Sequence, residues 1–286
     1  MIEDHPIRVL VVDDSPFVRK ALLRIFEYEP SVTVVGTAKN GKEAIEKALS
    51  LKPDVMTLDI MMPVMDGIET LKIIMEQYPV PVLILSQFTH EGADLTLKAL
   101  HLGAMDFIDK STRGLMDFLG LASEIIAKVK AIAHNKPKKL IYKPSVYTEY
   151  TPQGIVEVVA IGASTGGPPA LEFILQKFPK NISFGVLIVQ HMPIGFTATL
   201  AERLDSICSI RVKEAEDRDA IEPGLALIAR SGIHMKVRKG KRSVRLDEEP
   251  WDLIHRPSVD VLFESVAEVF GDRSLGVLLT GMGSDG

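Results

Sequence analysis

Hydrophobic and polar positions along this chain follow two alternating periods. The apolar, largely β-branched runs IRVLVV (7–12), VTVVGTA (32–38), DVMTLDI (54–60), PVLILSQ (81–87) and AMDFIDK (104–110) predict five strands. Between them, FVRKALLRIFEYE and GKEAIEKALSLK repeat apolar residues three and four apart, as an amphipathic helix does. Strands separated by helices predict a parallel sheet with helices on both faces.

The alternation stops after a last helical stretch ending near Ala133. The segment that follows, HNKPKKLIYKPSVYTEYTPQG, is rich in Pro, Lys and Tyr and has neither period, so residues 134–152 are read as a linker. From Val156 the pattern resumes with strands in VEVVAIG, SFGVLIVQ, IRVKEA and GLALIA, and helices through ALEFILQKF and FTATLAERL. HMKVRKGKRSVRL reads as a β-hairpin with Lys239 and Gly240 near its turn, and VDVLFESVAEVF as a helix leading into the buried-looking strand LGVLLT. The expected architecture is therefore α/β, with two doubly wound parallel-sheet domains at 1–133 and 153–286.

Composition narrows the function classes. A chain of 286 residues with 46% hydrophobic and 25% charged residues is an ordinary globular protein with room for two domains. A net charge of -5 argues against a nucleic-acid partner. The single cysteine, Cys208, makes no internal disulfide. The acidic start MIEDHP lacks an apolar signal core, and no apolar run approaches the ~20 residues of a membrane span. The expectation is a cytoplasmic protein without membrane insertion.

In an open parallel sheet, functional groups gather beyond the carboxyl ends of the strands. In the first half Asp13 and Asp14 follow the first strand, Asp59 the third, Ser86 the fourth and Lys110 the fifth. Converging carboxylates suit Mg²⁺, one of them can attack a phosphoryl donor, and a lysine and a hydroxyl can hold the phosphate oxygens. VVDDSPFVRK, DVMTLDIMMPVMDG, LILSQ and DFIDK resemble the signature set of response-regulator receiver domains over roughly residues 7–130. The resemblance implies a flavodoxin-like fold, Asp59 as phospho-acceptor and Asp13, Asp14, Asp59 and the Met61 carbonyl around Mg²⁺. It further implies Ser86 and Lys110 as the phosphate-sensing pair and Phe107 as the aromatic that repacks on phosphorylation. One departure is Ser111, which follows Lys110 where receivers usually carry proline.

The second half places Ser164, His191 and Asp285 just beyond three of its predicted strands. A hydroxyl, an imidazole and a carboxylate on one sheet edge are the inventory for nucleophilic acyl transfer. Gly162 and Gly166 are expected to permit a tight turn around Ser164, with backbone N–H groups nearby to bind an oxyanion. Ser164 in a phosphate-cradling loop is the competing reading, but the glycine spacing fits neither a dinucleotide loop nor a P-loop. His234 and His255 stand as the other candidate bases. The order Ser, His, Asp is not that of the α/β-hydrolases.

IGASTGGPPAL, VLIVQHMPIGFTATLAERLD, HRPSVDVLFESVA and LLTGMGSDG resemble the catalytic domain of the chemotaxis protein-glutamate methylesterases, the CheB family. With the receiver in front, the resemblance covers nearly the whole chain. It implies a Rossmann-like α/β catalytic domain with Ser164 as nucleophile, His191 as base and Asp285 as orienting acid. The Met282 N–H would donate to the oxyanion, Thr165 would support the loop, and Arg256, Pro257 and Ser258 would shape the site. The implied activity is phosphorylation-activated hydrolysis of glutamate methyl esters on chemoreceptor cytoplasmic domains, with glutamine deamidation as related chemistry. A chemotaxis histidine kinase would be the phosphodonor, the unphosphorylated receiver would cover the cleft, and the ester chemistry would need no cofactor. The family continues past this loop with a further helix and strand, so the chain is expected to be a shortened form with Asp285 near a fraying end. The competing class is a response regulator whose output domain only binds a partner.

Overall fold

The computed structural model describes residues 5–86, 90–110, 119–133, 155–253, 255–281 and 284–286. The chain divides after residue 142 into two compact units. The predicted linker, residues 134–152, lies outside the described residues, as does Ser111.

In the first unit β1 (Ile7–Val12), β2 (Val32–Ala38), β3 (Val55–Asp59), β4 (Val82–Ser86) and β5 (Asp106–Asp109) form a parallel sheet in the order β2-β1-β3-β4-β5. The crossovers are α1 (Pro16–Glu27), α2 (Gly41–Leu51), α3 (Gly67–Gln77) and α4 (His90–His101), and α5 (Ala122–Ala133) follows β5. Strand residues alternate between faces. Val9, Val11, Leu83, Leu85 and Ile108 pack with Leu22 and Ile25 of α1 and Val129 of α5. Leu10, Met56, Leu58 and Ile84, on the other parity, are fully buried toward the opposite face. Helix starts are written locally. Ser15 precedes Pro16 and its hydroxyl accepts the Val18 N–H, while the Asn40 and Asp66 side chains accept the N–H groups of Glu43 and Glu69.

In the second unit β6 (Val158–Ala163), β7 (Gly185–Gln190), β8 (Arg211–Glu214) and β9 (Leu225–Ile228) precede a hairpin of β10 (His234–Val237) and β11 (Val244–Asp247). The hairpin turns through Gly240 at φ +69°. With β12 (Ser274–Leu278), the main sheet is parallel in the order β12-β6-β7-β9-β8. The helices are α6 (Gly167–Leu175), α7 (Phe196–Ile207) and α8 (Val259–Phe270). Val158, Ala160, Leu187 and Val189 pack against α8 and the hairpin through Val259, Leu262, Met235 and Val237.

Two expectations change. LGVLLT is not buried: β12 pairs with β6 alone among the described strands, and Leu275 and Leu278 are 49% and 54% exposed. An apolar run cannot by itself tell a central strand from an edge. Gly162 is not a turn residue but lies inside β6, where a Cβ would stand 2.3 Å from Val259 Cγ1. Its work is to let α8 lie close on the sheet, and the turn belongs to Gly166 at φ +74°.

This packing makes Gly162→Ala costly. The variant is expected to lose about 1–3 kcal/mol of stability by urea unfolding, because an added carbon meets a packed helix. Gly276→Ala, whose Cβ would meet Phe263 only at 3.6 Å or beyond, is the matched control and is expected to change little.

Candidate functional site

In the first unit the strand order reverses between β1 and β3, which opens a crevice at their carboxyl ends. Asp13 and Asp59 are drawn into it and buried, while Asp14 stays exposed at the rim. One cation serves both buried acids: Lys110 Nζ lies 2.8 Å from Asp13 Oδ2 and 2.7 Å from Asp59 Oδ2. Ser86 and Lys110 line the same cavity of about 340 Å³ as Asp14 and Asp59. The Met61 N–H donates to Asp59 Oδ1 at 3.3 Å. Phe107 is buried, with Lys128 Nζ 5.5 Å from its ring centroid and donating to its carbonyl.

Charge is under-compensated here. Burial pushes the Asp59 carboxyl up to about 6, the Lys110 ammonium opposes this, and the neighbouring Asp13 adds to it. Asp13, Asp14 and Asp59 each offer a carboxylate oxygen, all within 4.8 Å of one another. A hard cation with oxygen ligands suits that donor set and its surplus of negative charge.

In the second unit the three residues expected to act together end β6, β7 and the β12 side of the sheet. Ser164, His191 and Asp285 line one cavity of about 110 Å³. His191 Nε2 and Asp285 Oδ2 are 2.8 Å apart. The His255 ring stacks on that of His191 with centroids 4.3 Å apart, while His255 itself is exposed. His234 is fully buried with partners at both ring nitrogens and does not line the cavity.

The backbone around Ser164 is pinned. Its N–H donates to the Thr280 carbonyl at 3.0 Å, and the Thr280 hydroxyl donates to the Thr165 carbonyl at 2.9 Å. Gly281 comes so close that a Cβ there would stand 3.0 Å from Ser164 Cβ. Met282, expected as the oxyanion donor, lies outside the described residues.

Asp285 sits on the N-terminus of α8. Ser258 Oγ donates to Oδ1 at 2.7 Å, and the N–H groups of Val259 and Asp260 donate at 2.8 and 3.0 Å. Burial alone would raise this carboxyl. The N–H groups of Asp260 and Val259, the Ser258 hydroxyl and the His191 ring outweigh it and hold the group below its usual value.

The sequence reading missed Gln190. Its buried Nε2 donates to the carbonyls of Ser164 at 2.9 Å and His191 at 3.0 Å, joining the two residues through one amide. The signal was a polar residue closing an apolar strand. Gly167 is required beside it, because a Cβ there would fall 1.9 Å from Gln190 Oε1.

The two units thus define a phosphoacceptor-type α/β domain followed by a serine–histidine–carboxylate α/β domain. The family model for the response regulator receiver domain matches residues 9–116, and that for CheB methylesterase matches residues 159–286. A protein-glutamate methylesterase/protein-glutamine glutaminase of Halalkalibacterium halodurans is 48% identical over 98% of this chain and 83% of its own length. One of the same name from Geobacillus kaustophilus is 46% identical over 98% of this chain and 83% of its own length. The crystal structure of the Thermotoga maritima CheB methylesterase catalytic domain is 42% identical, covering 46% of this chain and 70% of that one, with a TM-score of 0.43. The chain belongs to the protein-glutamate methylesterase/protein-glutamine glutaminase family.

The raised carboxyl of Asp59 has a definite sign in stability. Between about pH 4 and 6 the folded protein keeps a proton that the unfolded chain has lost, so stability falls as pH rises through that window. Without divalent cation, Asp59→Asn is expected to be more stable than the native chain above pH 6, by about 1–3 kcal/mol, with the gap closing toward pH 4. Urea midpoints across that range in a chelator measure it. Added Mg²⁺ is expected to stabilise the native chain more than Asp59→Asn.

Proposed function

We propose that this chain is a phosphorylation-activated protein-glutamate methylesterase that acts on the methylated cytoplasmic segments of chemoreceptors. The observation that carries this reading is the His191–Asp285 pair at 2.8 Å beside Ser164 in one cavity. In this reading residues 1–133 form the receiver, 134–152 the connection and 153–286 the catalytic domain.

Because Asp285 accepts on the Nε2 side, His191 carries its proton there and presents Nδ1 as the base for Ser164. Ser164 Oγ attacks the ester carbonyl and its proton passes to Nδ1. The tetrahedral oxyanion is held by backbone N–H groups, with Met282 as the proposed donor and Thr165 supporting the loop. As the intermediate collapses, the acyl–oxygen bond breaks and the imidazolium gives its proton to the departing methanol. A water, deprotonated by His191, then releases glutamate and restores Ser164. Asp285, kept ionised by the helix terminus, stabilises the imidazolium formed in both halves. Ammonia leaving from glutamine in place of methanol would make the same site a deamidase.

In the receiver, Asp59 is the phospho-acceptor, and Asp13, Asp14, Asp59 and the Met61 carbonyl would hold Mg²⁺. When bound, the ion neutralises charge between the carboxylates and the incoming phosphoryl group. Lys110, shared between Asp13 and Asp59, and Ser86, which lines the same cavity, would take the phosphate oxygens, with Phe107 as the responding aromatic. A chemotaxis histidine kinase is the proposed phosphodonor. Among the described residues no helix is long and apolar enough to cross a membrane, which is in keeping with a cytoplasmic enzyme.

Methanol release from methylated receptor fragments tests the reading. Ser164→Ala is expected to abolish it, and Asp285→Asn to lower kcat by about 10³–10⁴-fold. Asp59→Asn is expected to keep basal activity but lose the rise produced by a small-molecule phosphodonor with Mg²⁺. Release that survives Ser164→Ala would overturn the assignment.

A further inference from the structure

His234 takes no part in the chemistry above, yet it is fully buried and both of its ring nitrogens are engaged. Nε2 lies 3.0 Å from the Pro250 carbonyl, which can only accept, so Nε2 carries the proton. Nδ1 lies 3.1 Å from the Ser258 N–H, which can only donate, so Nδ1 is bare. The two partners together fix one neutral tautomer. Burial holds the imidazole below its usual pKa, with Lys236 and Arg256 acting in the same direction against the Pro250 carbonyl and Asp285.

Ser258 is the residue on which Asp285 depends. Its hydroxyl donates to Asp285 Oδ1 at 2.7 Å and accepts the Val261 N–H at 3.3 Å, as the cap of α8. The next two N–H groups, of Val259 and Asp260, complete the cradle. A turn of the Ser258 backbone would therefore disturb the hydroxyl and the first turn of α8 together. Among the described residues, the imidazole of His234 is what holds the Ser258 N–H.

We propose that His234 is a positioning residue for the esterase site: by accepting the Ser258 N–H on Nδ1, it fixes the cap of α8 that holds Asp285 against His191. The inference rests on the reading of Ser164, His191 and Asp285 given under Proposed function. It also explains why His234 is not the base, since both of its nitrogens are committed behind the carboxylate rather than toward Ser164.

Two variants of this chain separate this role from plain packing. His234→Phe keeps a ring and removes both bonds. His234→Asn places Oδ1 near the former Nδ1, so it keeps an acceptor for Ser258 while giving up the bond to Pro250. The first readout is kcat and KM for methanol release. The second is the downfield proton resonance of the His191 ring N–H on Asp285, assigned by its absence from His191→Gln.

His234→Phe is expected to lower kcat about 100-fold with KM within about 2-fold, and to lose or move the resonance upfield. His234→Asn is expected to stay within about 5-fold of native kcat and to keep the resonance. A folded His234→Phe protein with native kcat and a native resonance would overturn the proposal. So would a folded His234→Asn protein as impaired as His234→Phe, because the bond to Pro250 would then be the one that matters. If the native chain gave no Ser164-dependent methanol, the reading under Proposed function would fall, while the resonance comparison would still decide the role of His234.

Discussion

A carboxylate withdrawn from water loses several kcal/mol of hydration that donors or cations have to replace. The two units answer that demand in opposite ways. In the first, Asp13 and Asp59 share the single ammonium of Lys110, and the deficit appears as a raised Asp59 carboxyl. In the second, Asp285 receives a hydroxyl, two helix N–H groups and an imidazole, and its carboxyl is held low. A deficit leaves a donor set suited to a hard cation. A surplus of donors makes a carboxylate that stays charged beside an imidazole.

Topology decides where these groups can meet. In both sheets the strand order turns back beside the first strand of the unit, between β1 and β3 and again around β6. The residues following those strands therefore face one crevice, although Ser164 and Asp285 are far apart in sequence. Rigidity comes from the strand ends themselves. Gln190 spans the carbonyls flanking the crevice, and Thr280 ties the loop of Ser164 to the end of β12.

Much of this was legible in the residues. The two strand–helix alternations, the hairpin and the acids, hydroxyls, histidine and lysine at strand ends follow from period and position, and the structure brings Asp13, Asp59, Ser86 and Lys110 to one edge and Ser164, His191 and Asp285 to another. What was not legible depends on contacts between distant segments. The packing role of Gly162 needs α8 to be placed first. His234 looks like any histidine at a strand start until Ser258 and Pro250 are seen on its two nitrogens.

The contact between Gln190 and Gly167 carries a consequence for how this site can vary. Position 167 has room for hydrogen alone because the amide of Gln190, and behind it the Ala163 methyl group, occupy the space where a Cβ would go. That amide cannot retreat without releasing the carbonyls of Ser164 and His191. Substitutions at the two positions are therefore coupled: a larger residue at 167 meets both the Gln190 amide and the Ala163 methyl group, and a shorter residue at 190 gives up the amide that joins the Ser164 and His191 carbonyls.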